Sequence, residues 1–345
     1  MRNFLLTALL LLSCAPALRV SHEYYVRVLI FEGDSATLSG KYTLQVGDKS
    51  IKISDCVIRG DGIYSSGKLV MRISSAVEFI PCSRLIINNL PYRGTLIVVN
   101  TGEKNLFINK VHVEDYLKSV VSCELRTNEI EALKAQAVCA RSYALAVKRN
   151  KYYDLVNTQT DQVYGGMSKE NELAIRAVNE TRGEVLMYGN KIIPAFYSAC
   201  CGGRTRRGNK PYLRSVTCKF CSWSPNYSWR VEYRLKEIEK KLGYGIKRII
   251  IKRKDRYGRV EEMEIIDEHG KSHKLNELEM RSVFNLKSNW FKLKISGHRV
   301  RFIGHGYGHG YGLCQSGAVG MARAGYNYRR ILRHYFKGTR LHKLY

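Results

Sequence analysis

The sequence predicts an α+β protein with a β-rich N-terminal part, a central helical hairpin and a mixed α+β remainder. Three observations carry this. Short alternating apolar and polar runs fill residues 24–110, a helical period sets in at Val113, and alternation returns at 184–199 before two closing helices. The 345 residues, 45% hydrophobic and 25% charged with 6 Pro and 29 Gly, have the composition of a globular chain, which excludes wholesale disorder, collagen and coiled coil.

Residues 1–17 read as a secretory signal. Met1–Asn3 carry one positive charge, Phe4 to Leu12 are almost wholly apolar, and Ala15-Pro16-Ala17 is a small-x-small cleavage pattern. The apolar run is shorter than the ~18 residues of a spanning helix. An uncleaved membrane anchor and lipidation at Cys14, after Leu11-Leu12-Ser13, are the alternatives. Each places the protein in the periplasm or cell envelope.

In the β-rich region 18–110, runs such as Tyr25–Ile30 and Thr95–Val99 alternate, and Gly60-Asp61-Gly62 marks a turn. Val113, Leu117, Val120, Val121 and Glu124 then recur at helical spacing up to a break at Arg126-Thr127. Asn128 with Glu131 three residues on predicts the next helix start, and Ala132 to Val147 is rich in helix formers. The helical hairpin thus covers about 113–149. Strands are expected on both sides of Gly189-Asn190, and a basic α+β insertion at about 230–302 has a hairpin at Arg256-Tyr257-Gly258-Arg259. Helices near 315–324, stopped by Gly325, and near 327–336 complete a second part spanning 111–345.

The 57 Lys and Arg against 30 Asp and Glu leave a net charge of +27, which calls for a polyanion: nucleic acid, acidic lipid or an acidic wall polymer. The export signal and the lack of any P-loop, zinc-finger or RNP motif argue against nucleic acid. Of the 10 cysteines, Cys14 would leave with the signal, so the odd remainder must include a free, metal-bound or interchain thiol. Cys56 and Cys82 are a candidate pair, and Cys123 and Cys139 sit where buried structural thiols are expected. Cys201, Cys218 and Cys221, beside Cys200, would make a tetrahedral zinc site with one more donor, or a disulfide.

Glu124 lies on the stripe of the first helix that should face the core. Partial desolvation there raises a carboxyl's pKa and suits it to general acid work. The bland alternative is a structural Glu neutralised by Lys134 or Arg141, which share a face of the second helix. Gly304 to Gly312 alternates Gly with ring side chains, letting backbone approach a ligand while Tyr and His meet sugar rings.

The segment Val113–Val121, then Glu124, then Glu131–Leu145 resembles the core of the stage II sporulation protein D family. Blocks at Thr158–Gly166, Gly202-Gly203-Arg204-Thr205, Gly308-His309-Gly310 through Gln315-Ser316-Gly317-Ala318, Met321-Ala322 and Tyr328–Gly338 agree in order, so the resemblance covers about 113–340. It implies a lytic transglycosylase acting on peptidoglycan glycan strands stripped of stem peptides. Such an enzyme cuts the MurNAc-GlcNAc β-1,4 bond and leaves 1,6-anhydroMurNAc ends. The family's catalytic Glu maps onto Glu124, and Lys134, Gln136, Arg141, Gln162, Tyr164, His309 and Gln315 are implied substrate contacts. Some relatives bind zinc near the active site through His and Cys, whereas Thr160 or Asp161 and Ser198 occupy the corresponding positions here. The wider family also implies a rival reading, a non-catalytic wall binder that enhances a cell-wall amidase. The expected chemistry itself requires no cofactor, and a zinc ion would be structural.

Overall fold

In the computed structural model, which describes residues 24–345, the strand Tyr25–Gly33 runs antiparallel to Asn105–His112, pairing Tyr25 with His112 and Gly33 with Asn105. The expected signal segment and Cys14 lie outside the described residues. The sheet continues in the order Leu155–Val156, Tyr25–Gly33, Asn105–His112, Thr95–Asn100, Ala76–Pro81, Ser35–Val46, Lys49–Arg59, Gly62–Ser65 and Lys68–Arg72. Leu85–Ile87 branches from Ser35–Val46 and pairs with Leu90–Tyr92. A register shift between Leu38 and Lys41, with Gly40 at φ +115°, bends the long strand so that Leu38 meets Ile87 while Tyr42–Gln45 meets Glu78–Pro81. Burial of Phe79 and Phe107, both 0% exposed, contributes roughly 1.5–3 kcal/mol each.

Helix α1 (Val113–Glu124) follows the strand Asn105–His112 directly, with His112 Nδ1 accepting the Glu114 N–H at 3.2 Å as its cap. Its inner face is Val113, Tyr116, Leu117, Val120 and Val121, as the period predicts. Helix α2 (Ile130–Ala146) starts behind Glu129 rather than at Asn128. The expected capping box does not form, because Glu131 turns to Lys134 and to the Tyr328 N–H. Helix α3 (Glu172–Glu180), capped by Asn171, packs Ala174, Ala177 and Val178 against both.

The region expected as strands at 184–199 splits in two. Glu184–Tyr188 pairs with Lys191–Ile192 and with Arg340–Lys343, but the ladder stops at Pro194, which has no N–H to donate. Tyr197–Ser198 pairs instead, in parallel, with Leu313–Cys314. That distant pairing frames the site.

Residues 228–305 form two three-stranded sheets with helices α4 (Leu235–Leu242) and α5 (Glu277–Val283) around their own core, including Val260, Met263, Met280 and Phe302. The hairpin at 256–259 joins Ile246–Lys254 to Val260–Asp267. Helices α6 (Gln315–Arg323) and α7 (Tyr328–Tyr335) complete the main core, which joins residues from Val26 to Cys221 with those from Leu313 to Phe336.

No disulfide joins the described cysteines. Cys56 points into the core and Cys82 is exposed just beyond its strand, so the candidate pair does not form. Cys139 is fully buried as expected, but Cys123 is only half-buried.

Candidate active site

Glu124 is the last residue of α1, where the chain turns to an extended Leu125 at φ −138°, ψ 100°. It lines a cleft of about 510 Å³. Phe196 to Ala199 form one wall, Tyr307 to His309 another, and Gln159 to Asp161 with Val163 a third. Two contacts hold the residue. The Val163 N–H donates to Glu124 Oε1 at 2.8 Å, and Gln315 Nε2 donates to the Glu124 main-chain carbonyl at 3.0 Å.

Burial raises the Glu124 pKa above the ordinary Glu value, and the single Val163 hydrogen bond offsets only part of this. No Lys or Arg forms an ion pair with Glu124 among the described residues, and the neutralising partners that its spacing suggested are engaged elsewhere. Lys134 bridges Glu131 at 2.8 Å and Glu180 at 2.6 Å. Arg141 is buried in a two-pronged pair with Glu114, at 2.9 and 2.6 Å. The α2 face bearing both is turned to α1, α3 and α7, not to the cleft.

The other carboxyl in the cleft wall, Asp161, is tied down. Arg149 reaches it at 2.7 and 2.8 Å, the Tyr143 hydroxyl donates at 2.8 Å and the Val156 N–H at 2.8 Å. Burial would raise its pKa, but Arg149 and these donors outweigh it and hold the carboxyl below the ordinary Asp value. Asp161 is thus an ionised acceptor with its oxygens occupied. Glu124 alone among the cleft's carboxyls is both desolvated and lightly bonded.

Of the other sequence-predicted residues, His309 and Gln315 reach the cleft. His309 Nδ1 accepts the Tyr311 N–H at 3.0 Å, its other side meets the Tyr197 backbone, and its ring stacks on Tyr311. Burial lowers its pKa to about 4, so it is a neutral ring wall near pH 7. The alternating glycines serve this wall: Gly308 sits at φ +102°, where a Cβ would meet Ser198 Cβ at 2.9 Å. His305 instead lies between Tyr227 and Trp290.

Gln162, Gln136 and Tyr164 sit behind the lining. Gln162 Oε1 accepts from Tyr116 at 3.1 Å and its Nε2 donates to the Tyr197 hydroxyl at 3.1 Å, which fixes the segment presenting the Val163 N–H. Gln136 Oε1 accepts from Gln315 Nε2 at 3.3 Å. Tyr164 donates to Asn109 Oδ1 at 2.8 Å beneath the rings of Tyr116 and Tyr92.

The lining also holds two residues that the sequence did not mark as substrate contacts. Ser198 Oγ is buried with no protein partner, and Arg281 is delivered from α5 of the basic region. Arg281 lies in no motif, Ser198 stands out in the sequence only at a position where some relatives have a zinc ligand, and both reach the cleft by tertiary packing. Cys201, Cys218 and Cys221 converge near the cleft, and Cys314 joins them; the four sulfurs, all buried, lie within 4.8 Å of one another.

The family model described as Stage II sporulation protein matches residues 101–188, a span that includes Glu124. An uncharacterized protein of Brachyspira hyodysenteriae is 32% identical over 301 residues, 81% of this chain and 77% of that protein. The Stage II sporulation protein D of Bacillus subtilis is 29% identical over 265 residues, covering 69% of this chain and 76% of its own length. The Amidase enhancer of the same organism is 28% identical over 285 residues, 65% of this chain but 40% of that protein.

Proposed function

The chain belongs to the stage II sporulation protein D family, and from that premise we propose that it is an exported lytic transglycosylase of peptidoglycan with Glu124 as its only acid and base. The reading rests on one observation: Glu124 is the cleft's single desolvated, lightly bonded carboxyl, while Asp161 is locked by Arg149. An ordinary glycosidase needs two working carboxyls. In a lytic reaction the protonated Glu124 gives its proton to the glycosidic oxygen as the bond to the anomeric carbon breaks. The sugar's own C6 hydroxyl then closes on that carbon, and its proton returns to the Glu124 carboxylate. One carboxyl balances the cycle. Arg281, in the cleft lining, brings a positive charge beside the space a glycan would fill, while its Nε and Nη2 hold the Leu286 and Lys287 carbonyls.

Mass spectrometry of the products from peptide-stripped glycan strands tests this, with 1,6-anhydro ends expected. Products bearing only reducing ends would overturn it. The similarity to an amidase enhancer favours a second reading, a wall binder without its own chemistry that stimulates an amidase. In that case purified protein bound to strands yields no products.

The proton donor must be neutral to act, so cleavage is lost as pH rises through the Glu124 pKa. Because burial lifts that pKa, kcat/KM is expected to keep its plateau past pH 4.5 and to fall along a limb centred above it. A limb at or below the ordinary Glu value would refute the burial assignment.

The charge of +27 is expected to recruit the protein to the wall rather than to take part in chemistry. Raising salt from about 50 to 200 mM shortens the screening length to below ~10 Å and should weaken binding to intact sacculi more than it slows cleavage of short glycans. Salt-insensitive sacculus binding would remove this role.

A further inference from the structure

We propose that Cys201, Cys218, Cys221 and Cys314 bind one zinc ion through four thiolates, as a closed structural site that ties together two walls of the Glu124 cleft. The four buried sulfurs lie within 4.8 Å of one another, and Cys201 and Cys221 are 3.7 Å apart. Zinc–sulfur bonds of ~2.3 Å in a tetrahedron place sulfurs about 3.8 Å apart. Each sulfur has the other three within 4.8 Å, the pattern of a tetrahedron's corners rather than of two bonded pairs.

The chain delivers the ligands by separate local devices. Gly202 and Gly203 take φ +71° and +107°, and the Arg204–Thr217 bridge folds the segment back so that the Cys218 N–H donates to the Gly203 carbonyl. Cys221 follows one short turn later. Cys314 comes from far along the chain, brought in where Leu313–Cys314 pairs with Tyr197–Ser198.

The surroundings are those of metal-bound thiolates. The Cys201 and Gly317 N–H groups donate to Cys314 Sγ at 3.2 and 3.3 Å, and the Tyr335 hydroxyl lies 3.2 Å from Cys218 Sγ. Arg259, 2% exposed, donates to the Cys201 and Arg204 carbonyls at 3.2 and 2.9 Å, and no carboxylate pairs with it among the described residues. Four thiolates around a divalent ion carry a net negative charge, which adds counter-charge to a guanidinium that Asp255 reaches only through its main-chain N–H and at longer range. At a site of fixed donors zinc outcompetes ferrous iron.

The ion leaves no open position for substrate, so its role is to position. Cys314 precedes Gln315, whose amide holds the Glu124 carbonyl, and Cys201 follows the wall at Ser198–Ala199. A fifth buried cysteine, Cys200, touches Cys221 and Cys314 but stands outside the group of four mutually close sulfurs.

The test is elemental analysis of full-length protein purified under reducing conditions without chelator, with cobalt replacement of the bound ion. One zinc per chain is expected. Cobalt should give the thiolate charge-transfer and ligand-field absorption of a tetrahedral four-sulfur site. Cys314→Ser should weaken zinc binding by more than the ~10–100-fold lost with an outer-sphere partner and lower Tm, while Cys200→Ser should retain the metal. Absence of bound zinc after reconstitution, iron in its place, or intact mass revealing disulfides would overturn the proposal. So would loss of metal in Cys200→Ser with retention in Cys314→Ser. If Cys314→Ser does not fold, the cobalt spectrum of the unmodified protein decides. None of these readouts depends on glycan cleavage.

Discussion

Replacing Glu124 by Gln is expected to reduce glycan-strand cleavage by roughly 10²–10⁴-fold, the usual cost of losing general acid catalysis. The fold should be nearly untouched, because the amide oxygen of Gln can still accept the Val163 N–H and because Gln315 holds the main-chain carbonyl, which the substitution leaves in place. Binding of the strand should also survive, since the walls at 196–199 and 307–309 do not change. The measurement is a pair: rate of 1,6-anhydro product formation and affinity for a peptide-stripped strand. A variant that still forms those products at near the wild-type rate would assign the proton to another group. Asp161 would not serve, because its oxygens are taken by Arg149, Tyr143 and the Val156 N–H.

Arg141→Met is expected to cost about 3–5 kcal/mol of stability, the price of leaving one member of a buried ion pair uncompensated. Arg141 is 0% exposed and Glu114 3%, and Glu114 also accepts from the Gly183 N–H at 3.0 Å and the Tyr345 hydroxyl at 2.6 Å. Arg141 further donates to the Glu184 and Val178 carbonyls, so one guanidinium links α1, α2, α3 and the following strand.

The effect should depend on pH with a definite sign. Burial pushes the Glu114 carboxyl up, but Arg141, Tyr345 and Gly183 outweigh it and hold the pKa below 4.5 in the folded protein. A lowered folded pKa gives stability that is present above the unfolded value and lost on acidification. Without Arg141 burial dominates and the folded pKa rises, so the variant loses stability as pH increases. The destabilisation measured by denaturant should therefore be larger at pH 7 than at pH 4. An equal loss at both would mean that Arg141 acts through packing alone. Adding Glu114→Gln should recover part of the loss.

Glu124 was legible because two local signals coincide on it: the helical stripe from Val113 and the surrounding motif blocks. The α+β class, the N-terminal strands and the closing helices were legible for the same reason, since alternation and the 3.6-residue period are properties of neighbouring residues. Periodicity reports that a face is buried, not what it is buried against. Lys134 and Arg141 have the spacing to answer Glu124, yet packing turned them to Glu131, Glu180 and Glu114. Tertiary structure likewise brought Cys314 to Cys201 across 113 residues and carried Arg281 into the cleft from a separate core. Such pairings are set by how sheets and helices close on one another after each has formed, and no local pattern encodes them.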